Sequence, residues 1–284
     1  MSSAPHADFV TLARLLDDPS PVVRQALIGA FRDLGEPAVE KLRELAGGEG
    51  DLAGAASEVL EALGDADHAG AFRRYLRSPD PGIEKGCLLF ERILRPETAP
   101  EAIAGPLDAM AGRVRELLDG TMSVREACRI VNRVVFHEWG YRGDEKLFLQ
   151  PDGSLLGRVL VTRRGIPISL CLVHLLVANR CGIPLKPVGL PGRFMLGHRC
   201  GEPDGFFVDC YDGGVFRSRT EVKMILLQNG LPATDDFLAP VEADEVLCRC
   251  CRNLASQLDA VGDCARAEIF LGFVREVEKP GPHA

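Results

Sequence analysis

One long apolar segment constrains the fold of this chain more than any other feature. Between Leu170 and Ala178, His174 is the only residue that is not apolar, and this composition predicts a helix over residues 168–181 that is buried on every side. We expect Ser169 to cap its start. Extended stretches separated by strong turn signals follow at residues 185–190, 193–198 and 206–211. A buried helix packed on a small antiparallel sheet predicts an α+β core.

The segment before this core is predicted to be helical. Residues 15–34 align without gaps on residues 75–94, at an offset of 60, and a weaker copy lies between them. Stacked helix pairs of about this period predict HEAT-like helical repeats, although an irregular helical bundle also fits the pattern. Ser123 and Glu126 have the spacing of a capping box within a helical stretch, and a later helix over residues 154–164 is expected to end at Gly165.

The segment after the core also reads as helix. Residues 244–276 predict two helices around a turn at residues 261–263, a pattern similar to one tetratricopeptide helix pair. The sequence therefore predicts three domains. They are a helical-repeat region over residues 1–104, the α+β core over residues 105–232, and a helical hairpin over residues 233–284.

Charge and hydropathy limit the classes of partner. The 284 residues carry a net charge of −8, which argues against nucleic acid as a partner. Residues 151–223 nevertheless hold ten basic and six acidic residues, so this segment is +4 and the remainder is −12. An acidic or anionic ligand would suit that segment, although a solvated basic face is the simpler interpretation. The apolar run over residues 166–178 is too short to cross a bilayer, and no secretory signal begins the sequence, so we expect a cytoplasmic protein without a membrane partner.

The cysteines do not form a recognisable metal or disulfide pattern. Ten are present, and in a reducing compartment most would be small buried hydrophobic residues. Cys248, Cys250 and Cys251 lie close in sequence, but on a helix Cys250 points away from the other two, and no matching Cys-x-x-Cys pair occurs elsewhere. The sequence predicts no metal site and no cofactor.

Several motifs over residues 125–220 occur in a fixed order, and together they carry a resemblance. They are Val131-Asn-Arg-Val-Val-Phe-His-Glu-Trp-Gly-Tyr-Arg-Gly143, Gly165-Ile-Pro-Ile-Ser-Leu170, Gly182-Ile-Pro184, Gly189-Leu-Pro-Gly-Arg-Phe194 and Phe207-Val-Asp-Cys-Tyr-Asp-Gly-Gly214. The order resembles the SirB-type branch of the transglutaminase-like superfamily. The resemblance implies a papain/transglutaminase-like core between helical N-terminal segments and a tetratricopeptide-like tail, in a bacterial protein.

The same resemblance implies where catalytic residues would lie. Active members of the superfamily place a cysteine at the start of the buried helix, a histidine on a following strand and an aspartate on the next. Here the helix starts with Ile168 and Ser169, the histidine position holds Arg193, and the aspartate position holds Asp209. A guanidinium stays protonated at neutral pH and cannot act as a general base. The substitution predicts a non-catalytic protein-interaction or regulatory module.

A competing interpretation is a cysteine-dependent amidase, protease or acyl transferase. Cys171 lies in the first turn of the buried helix, where a thiol can be activated, and it would need a histidine and Asp209 to complete a triad. His174 is one turn away. His198 is five residues from the histidine position, so strand alternation places it on the opposite face. Ser169 is a weaker nucleophile candidate, because we expect its hydroxyl to bind backbone donors.

Two roles are open for the charged residues of the sheet. Arg193 and Asp209 could form a cross-strand ion pair. Alternatively, a cleft lined by Ser169, Arg193, Asp209 and Tyr211 could bind an acidic peptide or a carboxylate through the guanidinium fork.

Overall fold

The structure, a computed structural model, describes residues 9–18, 20–48, 50–66 and 68–278. The chain divides into two compact units, residues 1–70 and 71–284. In the first unit, Phe31, Leu42 and Ala56 are fully buried in a core formed between helices. These helices are α1 (Phe9–Ala13), α2 (Pro21–Leu34), α3 (Glu36–Ala46) and α4 (Asp51–Ala66).

The second unit begins within α5 and contains the sheet. Its helices are α5 (His68–Leu76), α6 (Ile83–Leu94), α7 (Pro100–Leu117), α8 (Val124–Asn132), α9 (Leu156–Thr162), α10 (Pro167–Arg180), α11 (Arg219–Gln228), α12 (Ala243–Ala260) and α13 (Cys264–Glu278). Both copies of the aligned repeat form a helix, α2 and α6, but these helices belong to different units. The first unit is shorter than the predicted region 1–104, because α6 and α7 pack against α9, α10 and α12. None of the described helices is long and apolar enough to cross a membrane.

A π-helix follows α8 and buries Val134, Val135 and Phe136. The predicted capping box is confirmed, since Ser123 Oγ accepts from the N–H of Glu126 and the Glu126 carboxylate accepts from the N–H of Ser123. At Arg133–Glu138 the hydrogen bonds widen to the π pattern, and the N–H of Trp139 donates to the carbonyl of Val134. Periodicity does not reveal such a segment, which inserts one extra residue into the turn.

The helix α10 and a four-stranded antiparallel sheet form the predicted α+β core. The strands of this sheet are β3 (Lys186–Val188), β4 (Met195–His198), β5 (Phe206–Asp209) and β6 (Val215–Arg217), in that spatial order. Two shorter strands that precede them in the chain, β1 (Arg142–Gly143) and β2 (Arg164–Gly165), form a separate parallel pair. Residues 167–178 of α10 are all buried, as predicted, whereas Asn179 is exposed and Arg180 is half-buried at the end of the helix.

Local boundaries differ from the sequence predictions in two places around this core. Strand β6 was not predicted, because its three residues are too short to show alternation. The helix expected over residues 154–164 is the shorter α9, and Arg163 ends it in the left-handed conformation with φ 58°, two residues before Gly165.

The predicted C-terminal hairpin is α12 and α13, joined by a turn at residues 261–263. It packs within the second unit. Gly86 of α6 allows a close approach of α12, since a Cβ atom at this position would lie 2.5 Å from the Leu247 side chain. On α13, Phe273 contacts Phe72 edge to face, and Glu276 binds Arg73 of α5 at 2.8 Å. These contacts hold the hairpin against α5 and α6.

Candidate functional site

The first turn of α10 contains a buried serine, Ser169. Pro167 takes the first helical position and Ile166 is the N-cap, so Ser169 is the third helical residue and not the cap that we predicted. Its hydroxyl accepts from the N–H of Ile166 at 3.0 Å and lies 2.7 Å from the carbonyl oxygen of Gly153. Because Ser169 is 1% exposed and its hydroxyl is hydrogen-bonded on both sides, the hydroxyl is a structural link between the start of α10 and the main chain at Gly153.

Cys171, the candidate thiol nucleophile, faces a carbonyl and a second thiol. It is fully buried, and its Sγ lies 3.4 Å from the carbonyl oxygen of Phe194. Burial, and then the neighbouring Cys171 thiol, raise the pKa of Cys210 well above its ordinary value. No described histidine hydrogen-bonds to the Cys171 thiol.

His174 belongs to a separate buried network. Its Nε2 lies 2.8 Å from Asn132 Oδ1, and Asn132 Nδ2 donates to the carbonyl of Gly214 at 2.6 Å. Because Oδ1 only accepts, this network assigns the proton to Nε2. Burial lowers the pKa of His174 to about 3, so the ring is neutral at physiological pH. Its Nδ1 is buried without a hydrogen-bond partner among the described residues, and Phe136 stacks on the ring.

His198 does not reach the carboxylate either. Its Nδ1 lies 2.9 Å from the carbonyl oxygen of Pro184, and its ring contacts Phe206, which is its cross-strand partner. Asp209 lies three residues further along the same strand, β5. The structure therefore brings neither candidate histidine to both Cys171 and Asp209.

Asp209 instead lies in a cluster of two arginines and two aspartates. Arg193 Nη2 donates to Oδ2 of Asp209 at 2.6 Å and to Oδ2 of Asp212 at 2.8 Å. Arg217 Nη2 donates to the same Asp212 oxygen at 2.7 Å, and its Nε lies 3.8 Å from Asp209 Oδ2. Burial raises the pKa of the fully buried Asp209 carboxyl, and the Arg193 guanidinium opposes that rise. The cluster is neutral overall, with two charges of each sign.

The structure contains the expected ion pair between Arg193 and Asp209, but Arg193 does not lie on a strand. Arg193 was predicted to begin an extended stretch, but β4 begins at Met195. Pro191 and Gly192 form a turn whose hydrogen bond runs from the N–H of Arg193 to the carbonyl of Leu190. The guanidinium therefore reaches the end of β5 from a turn rather than from a paired strand.

A cleft of about 330 Å³ lies between the start of α10, the turn before β4 and α12. Of the four predicted cleft residues, Arg193 lines it. Ser169 and Asp209 are buried and do not line it; Tyr211 does not line it either, but packs edge to face against Phe148, which does. The helix α12 contributes residues that the sequence analysis did not include, namely Arg249, Asn253, Ser256 and Gln257.

Arg249 joins the C-terminal hairpin to the core. Its Nη2 donates to the carbonyl oxygens of Leu190 and Arg193, in the latter case at 3.0 Å, and its guanidinium lies 5.6 Å from the centre of the Phe194 ring. Burial lowers the pKa of Arg249, and the charge of Glu245 opposes this effect. Periodicity gave no signal for this contact, which joins residues 56 positions apart.

The position of Asn132 in the sequence indicates a buried polar residue, although it was not among the predicted site residues. Cys128, Val131, Asn132 and Val135 follow helical core spacing and are all buried. A polar residue in such a row indicates a buried hydrogen-bond partner. In the described ranges, no group of three His, Cys, Asp or Glu side chains is placed to share a metal ion.

The comparisons with known proteins agree with this architecture. A family model for the transglutaminase-like superfamily matches residues 101–252. A UPF0162 protein of Xylella fastidiosa is 36% identical over 133 residues, which are 44% of this chain and 47% of that protein. A UPF0162 protein of Pseudomonas aeruginosa is 30% identical over 191 residues, 66% of this chain and 69% of that protein. Human F-box only protein 21 is 32% identical over 82 residues, 29% of this chain and 13% of that protein.

The chain spans about half the length of the Xylella relatives that it matches, 47% in each strain. No solved structure matches it. The family model nevertheless covers more than half of the chain and includes α10, the whole sheet and the Asp209 cluster. This chain therefore belongs to the transglutaminase-like superfamily and is related to the UPF0162 proteins.

Proposed function

We propose that this protein is a non-catalytic member of the SirB-type branch, acting in the cytoplasm as a protein-interaction or regulatory module. One observation carries the proposal. The carboxylate that would orient a catalytic imidazole is bound by the Arg193 guanidinium, while the thiol on the buried helix contacts a main-chain carbonyl. Nucleophile, base and orienting group must lie within hydrogen-bond reach of one another for thiol catalysis.

The competing function is a thiol enzyme based on Cys171, a histidine and Asp209. It would require the ring of His174 to leave Asn132 or that of His198 to leave Pro184, and Arg193 to release the carboxylate. Each movement breaks a hydrogen bond of ordinary length. The bond between His174 and Asn132 is buried, and the bond from Arg193 to the buried Asp209 joins two charged groups, so both are costly to break. We favour the interaction module for this reason.

Alkylation of the native protein tests the proposal. An activated catalytic thiol reacts rapidly near neutral pH, whereas a buried thiol reacts only after unfolding. With iodoacetamide and mass spectrometry of each cysteine, we expect Cys264, which is exposed, to react first and Cys171 to react only in denaturant. Selective reaction of Cys171 in the folded protein would contradict the proposal. So would the release of amine from an amide substrate by the wild-type protein, if the Cys171→Ala variant does not release it.

A further inference from the structure

We infer that the cleft between α10 and α12 binds the C-terminal carboxylate of a partner peptide, and that Arg249 is the cation that recognises it. The inference rests on the proposed interaction function and names the ligand class of that cleft. It differs from the expectation for Arg193, whose Nη2 is already bound to two aspartates.

The first step is that Arg249 has no acidic partner in the part of the chain that the structure describes. No carboxylate of the described residues forms an ion pair with it, and Glu245, the carboxylate whose charge acts on its pKa, is bound to Arg252 at 3.0 Å. Arg249 donates only to main-chain carbonyls and lies against the Phe194 ring. A half-buried guanidinium without an anion is unfavourable, and an anionic ligand in the cleft would remove that penalty.

The second step is that the start of α10 borders the same cleft. Ile166, Pro167 and Ile168 line it. The N–H groups of Ile168 and Ser169 have no acceptor among the described residues, as is usual for the first turn of a helix. Such N–H groups, at the positive end of a 14-residue helix, favour a bound carboxylate.

The third step concerns Gln257, which distinguishes a peptide end from a simple anion. Gln257 lines the cleft and is 2% exposed. Its Nε2 donates to the carbonyl of Leu147 at 3.1 Å, so the network fixes Oε1 as an acceptor, and this oxygen has no donor among the described residues. A ligand that satisfies Arg249 and Gln257 together must bring an anion and an N–H donor, and the last residue of a peptide carries both.

The remaining walls indicate the side chain of that last residue. Phe148, Ile168 and Phe194 are apolar, and Phe148 is 44% exposed at the rim. A volume of about 330 Å³ is at the small end of the range for ligand pockets, enough for one or two residues and not for a folded segment. We therefore expect an apolar terminal side chain.

The test uses the intact protein and hexapeptides that end in each of the twenty amino acids, every one made with a free carboxylate and as the C-terminal amide. We expect wild-type protein to bind free-acid peptides with apolar ends, measured by fluorescence anisotropy, and to bind the matching amides at least about tenfold more weakly, since the amide loses a charge-assisted hydrogen bond. This comparison needs no variant. Equal binding of acids and amides, or no free-acid peptide binding with Kd below about 1 mM, would overturn the inference.

Two variants assign the recognition to residues. Arg249→Gln should lose at least about tenfold in affinity for the free acids, whereas Arg252→Gln, on the same helix but bound to Glu245, should keep it. Because Arg249 also holds the turn before β4, the folding of each variant is checked by urea titration. Gln257→Leu should weaken binding of peptides but not of acetate, which has no N–H. Unchanged peptide binding in Arg249→Gln would refute the assignment.

Failure of this inference is distinguishable from failure of the proposed function. Absent peptide binding with an unreactive Cys171 removes only the ligand assignment. Hydrolysis of the amide peptides, detected by mass spectrometry of the same mixtures and abolished in Cys171→Ala, would remove the non-catalytic function itself.

Discussion

Two adjacent glycines after β5 allow a quantitative test of the buried His174–Asn132 network. Gly213 and Gly214 both have positive φ, 69° and 82°. A Cβ atom at Gly213 would meet nothing within 4 Å, whereas at Gly214 it would lie 2.4 Å from the Asn132 amide. The substitutions Gly213→Ala and Gly214→Ala therefore share a backbone cost and differ in whether they displace Asn132.

The magnitude follows from the groups that lose their partners. A left-handed backbone costs a non-glycine residue about 1–2 kcal/mol, which is the full effect expected for Gly213→Ala. Displacing Asn132 also leaves the Nε2–H of His174 and the carbonyl of Gly214 without partners, at about 1–3 kcal/mol each when buried. Gly214→Ala should therefore lower the free energy of unfolding by about 2–6 kcal/mol more than Gly213→Ala.

Urea titration followed by tryptophan fluorescence measures this difference. Trp139 is the chain's one tryptophan and lies in the second unit, directly after the π-helix, so its signal reports this unit alone. With a slope of about 2–3 kcal/mol per molar urea, a 3 kcal/mol difference shifts the midpoint by about 1 M. A third variant, Asn132→Ala, removes the displaced group, and in that background Gly214→Ala should cost no more than Gly213→Ala. Equal midpoints for the two single glycine variants would refute the reasoning.

Three further predictions concern buried polar groups. The Glu91 carboxylate accepts from the N–H of Gly157 at 2.7 Å, and burial raises its pKa. Glu91→Gln keeps an acceptor for this N–H and should keep or raise the urea midpoint at neutral pH. Glu91→Leu leaves the N–H unpaired and should lower the free energy of unfolding by about 1–3 kcal/mol. The lowered pKa of His174, about 3, means that the unfolded chain binds the proton first, so stability is lost as pH falls from about 6.5 toward 3. His174→Gln should remove about 1.4 kcal/mol per pH unit of that slope, which urea titrations at several pH values would show or contradict. Ser169→Ala should cost about 1–3 kcal/mol in the same assay, and an unchanged midpoint would show that its hydroxyl is not a structural link.

Local signals in the sequence specified the buried helix, the hairpin tail and most of the sheet. The apolar run of α10 and the capping box at Ser123 are patterns within a few residues, and both are confirmed. Ser169 was misplaced because its preference for caps was read without Pro167, which favours the first helical position and so makes Ile166 the N-cap. The information was present, but two local rules had to be combined.

The contacts that define the cleft could not be predicted in the same way. Arg249 lies in a stretch that was predicted only to be helical, and its hydrogen bonds to the carbonyls of Leu190 and Arg193 depend on how α12 packs on the core. The Asp212 and Arg217 side chains join the Asp209 cluster because of a tight turn and an unpredicted strand. Such contacts follow from tertiary packing, which a single sequence without aligned relatives does not encode in any period or spacing.

Arg193 explains how Asp209 stays buried without an imidazole beside it. An isolated buried carboxylate is unfavourable, and a histidine that is neutral would leave most of that charge uncompensated. Arg193 and Arg217 supply two permanent cations against Asp209 and Asp212, so the carboxylate serves to hold the turn that carries Arg193. Arg249 then fixes the main chain of the same turn to α12. The turn that carries Arg193 therefore connects the core to the C-terminal hairpin, and Arg249, the arginine of this connection that has no acidic partner in the described chain, lines the cleft.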